Sequence, residues 1–363
     1  MIWLAWRQIR TQIVVVSGVL AVIALALAVT GPHLVHAYDT IVKHCSSHDD
    51  CATVTDQFLK SDRLLQQLGV VVLILPALVG IFWGAPLVAR EFETGTFRLS
   101  WTQSVTRTRW LSTKLVVGGL ASVVTTGLLS LMVTWWSSPF DRVNGTPFSP
   151  AYFDRRDLVP IGYAAFAFAL GVAAGMLIRR TLPAMAATLV GFIGVRLAVF
   201  EWVRPRLMAP LSVTTPFSAQ PGVILGPAGY GAGRINPADW VLSEQTIDRA
   251  GRVIGQNGGV GPNGNLTFNT APNGTLTMTG VGTCPNRFVP PKVGPGAPPL
   301  TAPPGGAARA FQTCADKLGI KELLTYQPIN RYWPFQIYET AIFIGLALLL
   351  AGFCFWWVRR RLA

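Results

Sequence analysis

The sequence predicts an all-α polytopic membrane protein with six transmembrane helices and a small α+β domain outside the membrane. Of the 363 residues, 51% are hydrophobic and only 13% are charged, whereas soluble domains carry about a quarter charged residues. The mean hydropathy is +0.42. The net charge of +13 is not gathered on one face, and many basic residues flank apolar runs, which is typical of membrane proteins and argues against nucleic-acid binding.

Six apolar stretches are long enough to cross a bilayer, for which about 20 residues are needed. They cover residues 13–31, 69–89, 115–136, 159–178, 181–203 and 335–358. Pro76 and Pro86 lie inside the second stretch. Membrane helices tolerate proline when neighbouring groups satisfy the freed carbonyls, so this stretch remains a predicted span.

The distribution of Lys and Arg predicts that both termini are cytoplasmic. With this orientation, the short cytoplasmic segments carry twelve Lys and Arg residues, and the two short outer loops carry six. The long connection between the fifth and sixth spans is left out, because long loops cross the membrane largely regardless of their charge.

Cysteine placement agrees with this orientation. Cys45 and Cys51 fall in the first outer loop, Cys284 and Cys314 in the long outer segment, and Cys354 in the last span. Disulfides form on the oxidising side of a membrane. We expect Cys45–Cys51 and Cys284–Cys314 bridges, although four cysteines allow three pairings and free thiols are the alternative.

The first outer loop also contains a histidine and cysteine pattern. His44, Cys45, His48 and Cys51 have a spacing that could hold a metal ion. A solvated loop closed by a disulfide explains the same residues, and we favour it, so no metal site is predicted.

Residues 204–334 form the largest polar segment and are predicted to be an extracellular domain. Its first part is rich in Gly and Pro and looks like a loop. Alternating residues at 265–268 and 275–278, around the turn at 271–274, predict a β-hairpin. Residues 290–306 are dense in Pro and Gly and predict a linker. Residues 307–319 predict a short helix.

No sequence motif for ATP hydrolysis or other catalysis occurs in the chain. There is no G-x-x-x-x-G-K-[ST] phosphate loop, no H-E-x-x-H and no G-x-S-x-G. We therefore predict that the chain is not an enzyme and binds no cofactor of its own.

The connection between the second and third spans, residues 90–114, carries the functional argument. Gly95 is expected to break the helix and Thr96 to cap a short new one. Phe97, Trp101 and Val105 recur every four residues and predict one apolar stripe. Such an amphipathic helix suits a membrane domain that receives force from a soluble partner, whereas an ordinary interfacial loop with anchoring Trp and Arg is the alternative.

The residues of this connection resemble those of ABC-2-type ABC transporter permeases. In that family the second span typically ends in an Arg-Glu pair followed by Glu-x-Gly-Thr, and the matching residues are Arg90, Glu91, Glu93, Gly95 and Thr96. The continuation is similar to that of actinobacterial members, as are two further stretches, residues 171–185 and 326–336. The long outer segment departs from the commonest members.

The resemblance implies a division of labour between chains. A separate ATPase subunit would bind ATP and Mg, and two copies of a six-helix permease, as a homodimer, would line the path in the bacterial cytoplasmic membrane. Residues 1–12 resemble the interfacial elbow helix that precedes the first span. The loop 90–114 would be the coupling helix, through Arg90, Glu91, Glu93, Gly95, Thr96, Arg98, Trp101, Arg107 and Arg109.

Three charged residues fall inside predicted spans, towards their outer ends: Arg196, Glu201 and Glu339. Intramembrane charges are costly and often functional. They could form an outer gate or a polar contact for the substrate, or else a structural ion pair or side chains that reach the interface. Gly171 and Gly175 form a G-x-x-x-G face for helix packing, either within a subunit or between two.

The leading hypothesis is therefore the membrane subunit of an efflux system that exports a hydrophobic or amphipathic substrate. Phe82 and Trp83 in the second span favour an apolar path, although lipid-facing aromatic residues look the same. The alternative is a membrane receptor or assembly protein that acts through its outer domain. An ion-coupled transporter would place ionisable residues near the bilayer midplane, whereas the charges here lie towards the outer face.

Overall fold

The computed structural model describes residues 18, 20–33, 35–36, 38–39, 63–95, 106–144, 147–148, 150–216, 236, 238–256, 268–270, 276–278, 282–284 and 316–361. The chain divides into two compact units. The helical unit comprises Met1–Leu207 and Tyr332–Ala363, and the strand-rich unit comprises Met208–Arg331.

Within the described residues of the helical unit, five helices are long and apolar enough to cross a membrane. We label the helices α1 to α6. The described part of α1, Leu20–His33, is shorter than a full span. The others are α2 (Arg63–Val79, a π-helical turn Gly80–Gly84, and Ala85–Thr94), α3 (Arg107–Asn144), α4 (Val159–Ile178), α5 (Thr181–Ala198, a π-helical turn Val199–Val203, and a 3₁₀ turn Arg204–Arg206) and α6 (Tyr332–Arg361).

The helices α2 to α6 contain the predicted second to sixth spans. Pro76 lies inside α2, as expected for a membrane helix. The count of six spans stays a prediction, because the structure describes too little of the chain around α1 to show a full first span.

The predicted helix break at Gly95 is confirmed, and both flanking helices extend into the predicted connection 90–114. Helix α2 continues to Thr94 and ends because Gly95 adopts a left-handed conformation, with φ of 72°, which glycine enters without steric cost. Helix α3 begins at Arg107, and the Thr106 hydroxyl accepts the backbone N–H of Arg109, as an N-cap does. The connection therefore shortens to the residues between Gly95 and Thr106.

Helix α4 is the centre of the helical unit. Most of its residues are buried, and it packs against α2, α3, α5 and α6. A methyl group built on Gly171 would lie 2.7 Å from the amide nitrogen of Ala85, and one on Gly175 would lie 2.7 Å from the Ala85 carbonyl oxygen. The G-x-x-x-G face is therefore used inside the chain, where it brings the backbones of α4 and α2 into contact.

The strand-rich unit contains two antiparallel sheets. The first has the order β1 (Leu211–Pro216), β7 (Lys321–Gln327), β2 (Trp240–Ile247) and β3 (Val253–Gln256). The second has the order β4 (Phe268–Thr270), β5 (Leu276–Met278) and β6 (Gly282–Cys284). The β4–β5 pair, with Phe268 opposite Met278, confirms the predicted hairpin.

The loop-like interpretation of the first part of residues 204–334 is wrong for β1 and β2. Both strands pair with β7, which lies far along the chain. Strand pairing between distant segments leaves little local signal in the sequence. Of the predicted helix 307–319, the structure describes a helical turn at 316–318.

The predicted disulfides and the histidine–cysteine loop lie largely outside the described residues. Cys284 ends strand β6, and Cys354 is a buried free thiol in α6. His44, Cys45, His48, Cys51 and Cys314 are among the residues that the structure does not describe. Both bridges therefore stay predictions.

Candidate functional site

One end of the helical unit gathers the described residues of the predicted coupling segment. An apolar cluster there joins the end of α2, the start of α3 and the ends of α4 and α6, through Val88, Leu111, Met176 and Val358. The exposed side chains around it are strongly basic and include Arg90, Arg109, Arg179, Arg180, Arg359 and Arg360. We call this the basic end.

Glu91 and Lys114 join the two helices that flank the Gly95–Thr106 connection. The Lys114 Nζ lies 2.6 Å from the Glu91 Oε1, and the Lys114 side chain is only 6% exposed. The same ammonium donates to the Leu87 carbonyl at 2.8 Å and lies over the Trp110 ring. Breaking a buried pair leaves one charge without a partner and without water, which is costly. The end of α2 and the start of α3, which are the two stems of the connection, are therefore held together at their base.

Glu93 reaches a different helix. Its Oε2 accepts the Thr181 hydroxyl at 2.5 Å and the Thr181 backbone N–H at 3.2 Å. The N-cap residue of α5, Arg180, makes no capping hydrogen bond with its own side chain. A carboxylate at a helix N-terminus satisfies a free N–H and interacts favourably with the helix dipole, so α2 supplies the cap that α5 lacks.

A tight turn sets the position of this cap. Helix α4 ends at Ile178, and Arg179 adopts a left-handed conformation with φ of 57°. The Arg179 guanidinium lies 5.8 Å from the centre of the Phe92 ring in α2, within the range of a cation–π contact.

The remaining residues of the predicted coupling segment either lie at the ends of α2 and α3 or fall outside the described residues. Arg90 and Arg109 are exposed, and Arg107 is half-buried in the first turn of α3. Thr96, Arg98 and Trp101 lie outside the described residues.

A buried ion network occupies the opposite end of the helical unit. Arg204 is fully buried and donates from Nε and Nη2 to the two carboxylate oxygens of Glu339, each at 2.7 Å. Its Nη2 also donates to Asp154. The Tyr163 hydroxyl donates to Glu339 at 2.6 Å. Two positive and two negative side chains meet here once Arg196 is included, since it pairs with Asp154 at 2.9 Å.

The π-helical turn of α5 brings its two arginines to the same side. Arg196 and Arg204 are eight residues apart, which in a regular α-helix would separate their directions by about 80°. A π turn takes up one extra residue, so the turn Val199–Val203 brings the separation close to two full turns. Both guanidinium groups can therefore reach Asp154.

The structure brings together two of the three predicted intramembrane charges. Arg196 and Glu339 are members of one network, linked through Asp154 and Arg204. Glu201 is exposed on the π-helical turn and takes no part in the ion network as the described residues define it.

Sequence reasoning missed Asp154, Arg204 and Tyr163. Arg204 follows directly after the predicted fifth span, and Asp154 lies in a connection, so neither counted as intramembrane. One sequence signal was available: Tyr332, Gln336 and Glu339 recur at helical spacing in α6 and form a polar stripe. Gln336 on this stripe accepts the Val159 N–H at 3.1 Å and donates to the Phe153 carbonyl at 3.1 Å.

Comparison with known protein families assigns the chain. The family model described as ABC-2 membrane transporter related matches residues 17–204, which is more than half of the 363 residues. The chain belongs to this family. No match was found among curated proteins or among solved structures.

This ABC-2-related chain is a multi-pass membrane protein and a membrane transporter subunit. The family resemblance predicted from Arg90, Glu91, Glu93, Gly95 and Thr96 is confirmed. The matched region includes both stems of the Gly95–Thr106 connection and ends at Arg204. Glu339, the partner of Arg204, lies beyond it.

Proposed function

We propose that this ABC-2-related chain is the permease subunit of an exporter driven by a separate ATPase subunit. The partner binds ATP and Mg and hydrolyses ATP, and this chain, paired with a second copy, carries a hydrophobic or amphipathic substrate outwards. The chain itself performs no catalysis, since its sequence contains no phosphate loop.

The observation that carries the proposal is the fixed base of the Gly95–Thr106 connection. A loop that receives force must pass it to the helices instead of bending at its stems. The 2.6 Å ion pair between Glu91 and Lys114 joins the two stems, and Glu93 joins the first stem to α5. The connection is therefore the docking site of the ATPase subunit.

The basic end supports a cytoplasmic position for this site. Arg90, Arg179, Arg180, Arg359 and Arg360 are exposed there, and Lys and Arg are enriched on the cytoplasmic side of membrane proteins. Six spans with both termini inside then place the strand-rich unit outside the bacterial cytoplasmic membrane, in the compartment where disulfides form.

Affinity purification from native membranes in mild detergent, followed by mass spectrometry, tests the proposal. We expect an ATPase subunit with a phosphate loop to co-purify with the wild-type chain. Replacement of residues 97–101 by Gly and Ser should abolish this association. The matched control is Arg206→Ala: Arg206 is exposed and donates to the Trp202 carbonyl in the last turns of α5, far from the Gly95–Thr106 connection.

Two outcomes contradict the proposal. Purification of the wild-type chain without an ATPase subunit, or with extracellular proteins alone, favours the receptor or assembly function instead. Retention of the ATPase by the 97–101 variant removes the connection as the docking site. Once the complex is in hand, stimulation of its ATPase activity by apolar and amphipathic compounds identifies the substrate class.

A further inference from the structure

We infer that Glu93 is a positioning residue that transmits movement of the Gly95–Thr106 connection to helix α5, through its hydrogen bonds to Thr181. This inference rests on the proposed function, because the movement originates in an ATPase subunit. It assigns Glu93 a role inside this chain, in place of a direct contact with the partner.

The capping geometry links Glu93 to both the connection and α5. Glu93 stands two residues before Gly95, at the last turn of α2, so it moves with the connection. Both of its hydrogen bonds end on the first residue of α5. Because Arg180 supplies no cap from its own side chain, the start of α5 depends on Glu93 for its capping contact.

Close packing directly beneath the cap holds α2, α4 and α5 together. Ala85 and Ala89 of α2 and Ala184 of α5 form one buried cluster. A methyl group on Gly175 of α4 would lie 2.7 Å from the Ala85 carbonyl oxygen. Small residues let the three helices touch closely. The packing therefore holds the end of α2 at the distance from which Glu93 reaches Thr181, and a shift of Glu93 acts on the start of α5 through these hydrogen bonds.

The far end of α5 carries the arginines of the buried ion network. From Thr181 the chain stays helical through Arg206. Arg196 and Arg204 on this helix hold Asp154 and Glu339 in the buried ion network. Helix α5 thus connects the cap at the basic end with the charged residues at the opposite end, and movement of its start reaches the network.

Hydrogen exchange of the purified complex, with and without ATP plus vanadate, tests the inference. In the wild-type complex we expect nucleotide to change amide exchange at 90–94, at the start of α5 and at 196–206, because exchange reports local opening. In Glu93→Ala the ATPase subunit should still co-purify and the change at 90–94 should persist, whereas the change in α5 should be lost.

Three further variants separate positioning from other roles. Glu93→Gln should keep the response, because its amide oxygen still accepts both hydrogen bonds. Thr181→Val removes the hydroxyl donor and should weaken the response in α5. Thr188→Val is the matched control and should keep it, because the Thr188 hydroxyl donates within α5, to the Ala184 carbonyl at 2.7 Å.

Several results overturn the inference. A full response of α5 in both Glu93→Ala and Thr181→Val shows that movement reaches this helix by another route. Loss of the ATPase subunit from Glu93→Ala, or equal loss of response in Glu93→Gln and Glu93→Ala, makes Glu93 a charged contact of the partner. Failure of the wild-type chain to bind an ATPase at all overturns the proposed function, and the inference with it.

Discussion

Arg204 and Glu339 form a bidentate ion pair in the interior of the helical unit, although 135 residues separate them in the chain. Nε and Nη2 of the guanidinium face the two carboxylate oxygens, and the exposed fractions of the two side chains are 0% and 1%. The pair joins α5 to α6. Because both charges are shielded from water, each is stabilised mainly by the other.

Removing one member of this pair should destabilise the protein strongly. Arg204→Ala leaves Glu339 buried without its main partner, and breaking a buried pair in this way costs about 3–5 kcal/mol. We expect thermal unfolding in detergent, monitored by tryptophan fluorescence, to show a large drop in the midpoint temperature. The double variant Arg204→Met with Glu339→Leu should recover much of the loss, and Arg206→Ala should be close to neutral. A double variant as unstable as Arg204→Ala would show that the loss comes from packing instead of an unpaired charge.

Deleting one residue from the π-helical turn should leave the ion network largely intact, because the turn holds one residue more than regular helix. Deletion of the exposed Glu201 converts the turn to regular helix and leaves Arg196 and Arg204 seven residues apart, so that their directions differ by only about 20°. The unfolding midpoint should therefore stay close to that of Glu201→Ala, which keeps the turn. Insertion of one alanine after Glu201 rotates Arg204 by about 100° instead, and it should lower the midpoint about as far as Arg204→Ala does. Equal stability of the insertion and Glu201→Ala would contradict this role of the turn.

Alanine at Gly171 should separate α4 from α2. The added methyl group meets backbone atoms of Ala85 and Gly84, which cannot move aside as a flexible side chain can. Overpacking of this kind costs about 1–3 kcal/mol, measurable as a lower unfolding midpoint. Gly345→Ala in α6 is the control, because a methyl group there has no atom within 4 Å. The control should be neutral or slightly stabilising, since Ala favours helix, and a similar loss at both positions would count against close packing.

The turn between β2 and β3 should weaken in acid. Asp248 accepts the backbone N–H groups of Arg252 and Ala250, and these bonds, together with the Arg252 guanidinium, lower the pKa of Asp248 below its ordinary value. A lowered pKa means that the contribution to stability is present above the ordinary Asp pKa and disappears as the pH falls through the lowered one. We expect the protection factors of the amides at residues 248–252, which correct for the intrinsic pH dependence of exchange, to fall below that pH. In Asp248→Asn these factors should be low already at neutral pH, and unchanged protection would contradict the assignment.

The helices of the membrane part were predictable because apolar runs of sufficient length have one stable backbone state in lipid. Their ends were not. Gly95 was recognised as a helix breaker, but Thr94 and Arg107 extend the helices into the predicted loop. Where a membrane helix ends depends on contacts that its terminal charged residues make with other helices. Lys114 of α3, for example, donates to the Leu87 carbonyl of α2. The β4–β5 hairpin was predictable from its local turn, whereas β1 and β2 were not, because both pair with the distant β7.

The residues of the candidate site were likewise predictable only in part. The sequence identified Glu91 and Glu93 by their family pattern, and Arg196 and Glu339 by the cost of a charge in lipid. It did not identify their partners Lys114, Thr181, Asp154 and Arg204, because these pairs join residues that are far apart in the chain.

By itself the sequence determined the membrane-spanning class, the family and the charged residues whose placement in a bilayer costs free energy. These features depend on composition and short-range pattern. Tertiary structure alone decided which charges meet. Arg204 lies at the end of an apolar run and becomes a buried partner of Glu339 only because the π turn of α5 orients it and α6 returns beside it. Likewise, Glu93 becomes the cap of α5 only because α2, α4 and α5 pack closely at Ala85, Gly175 and Ala184, and such close contact depends on three helices at once.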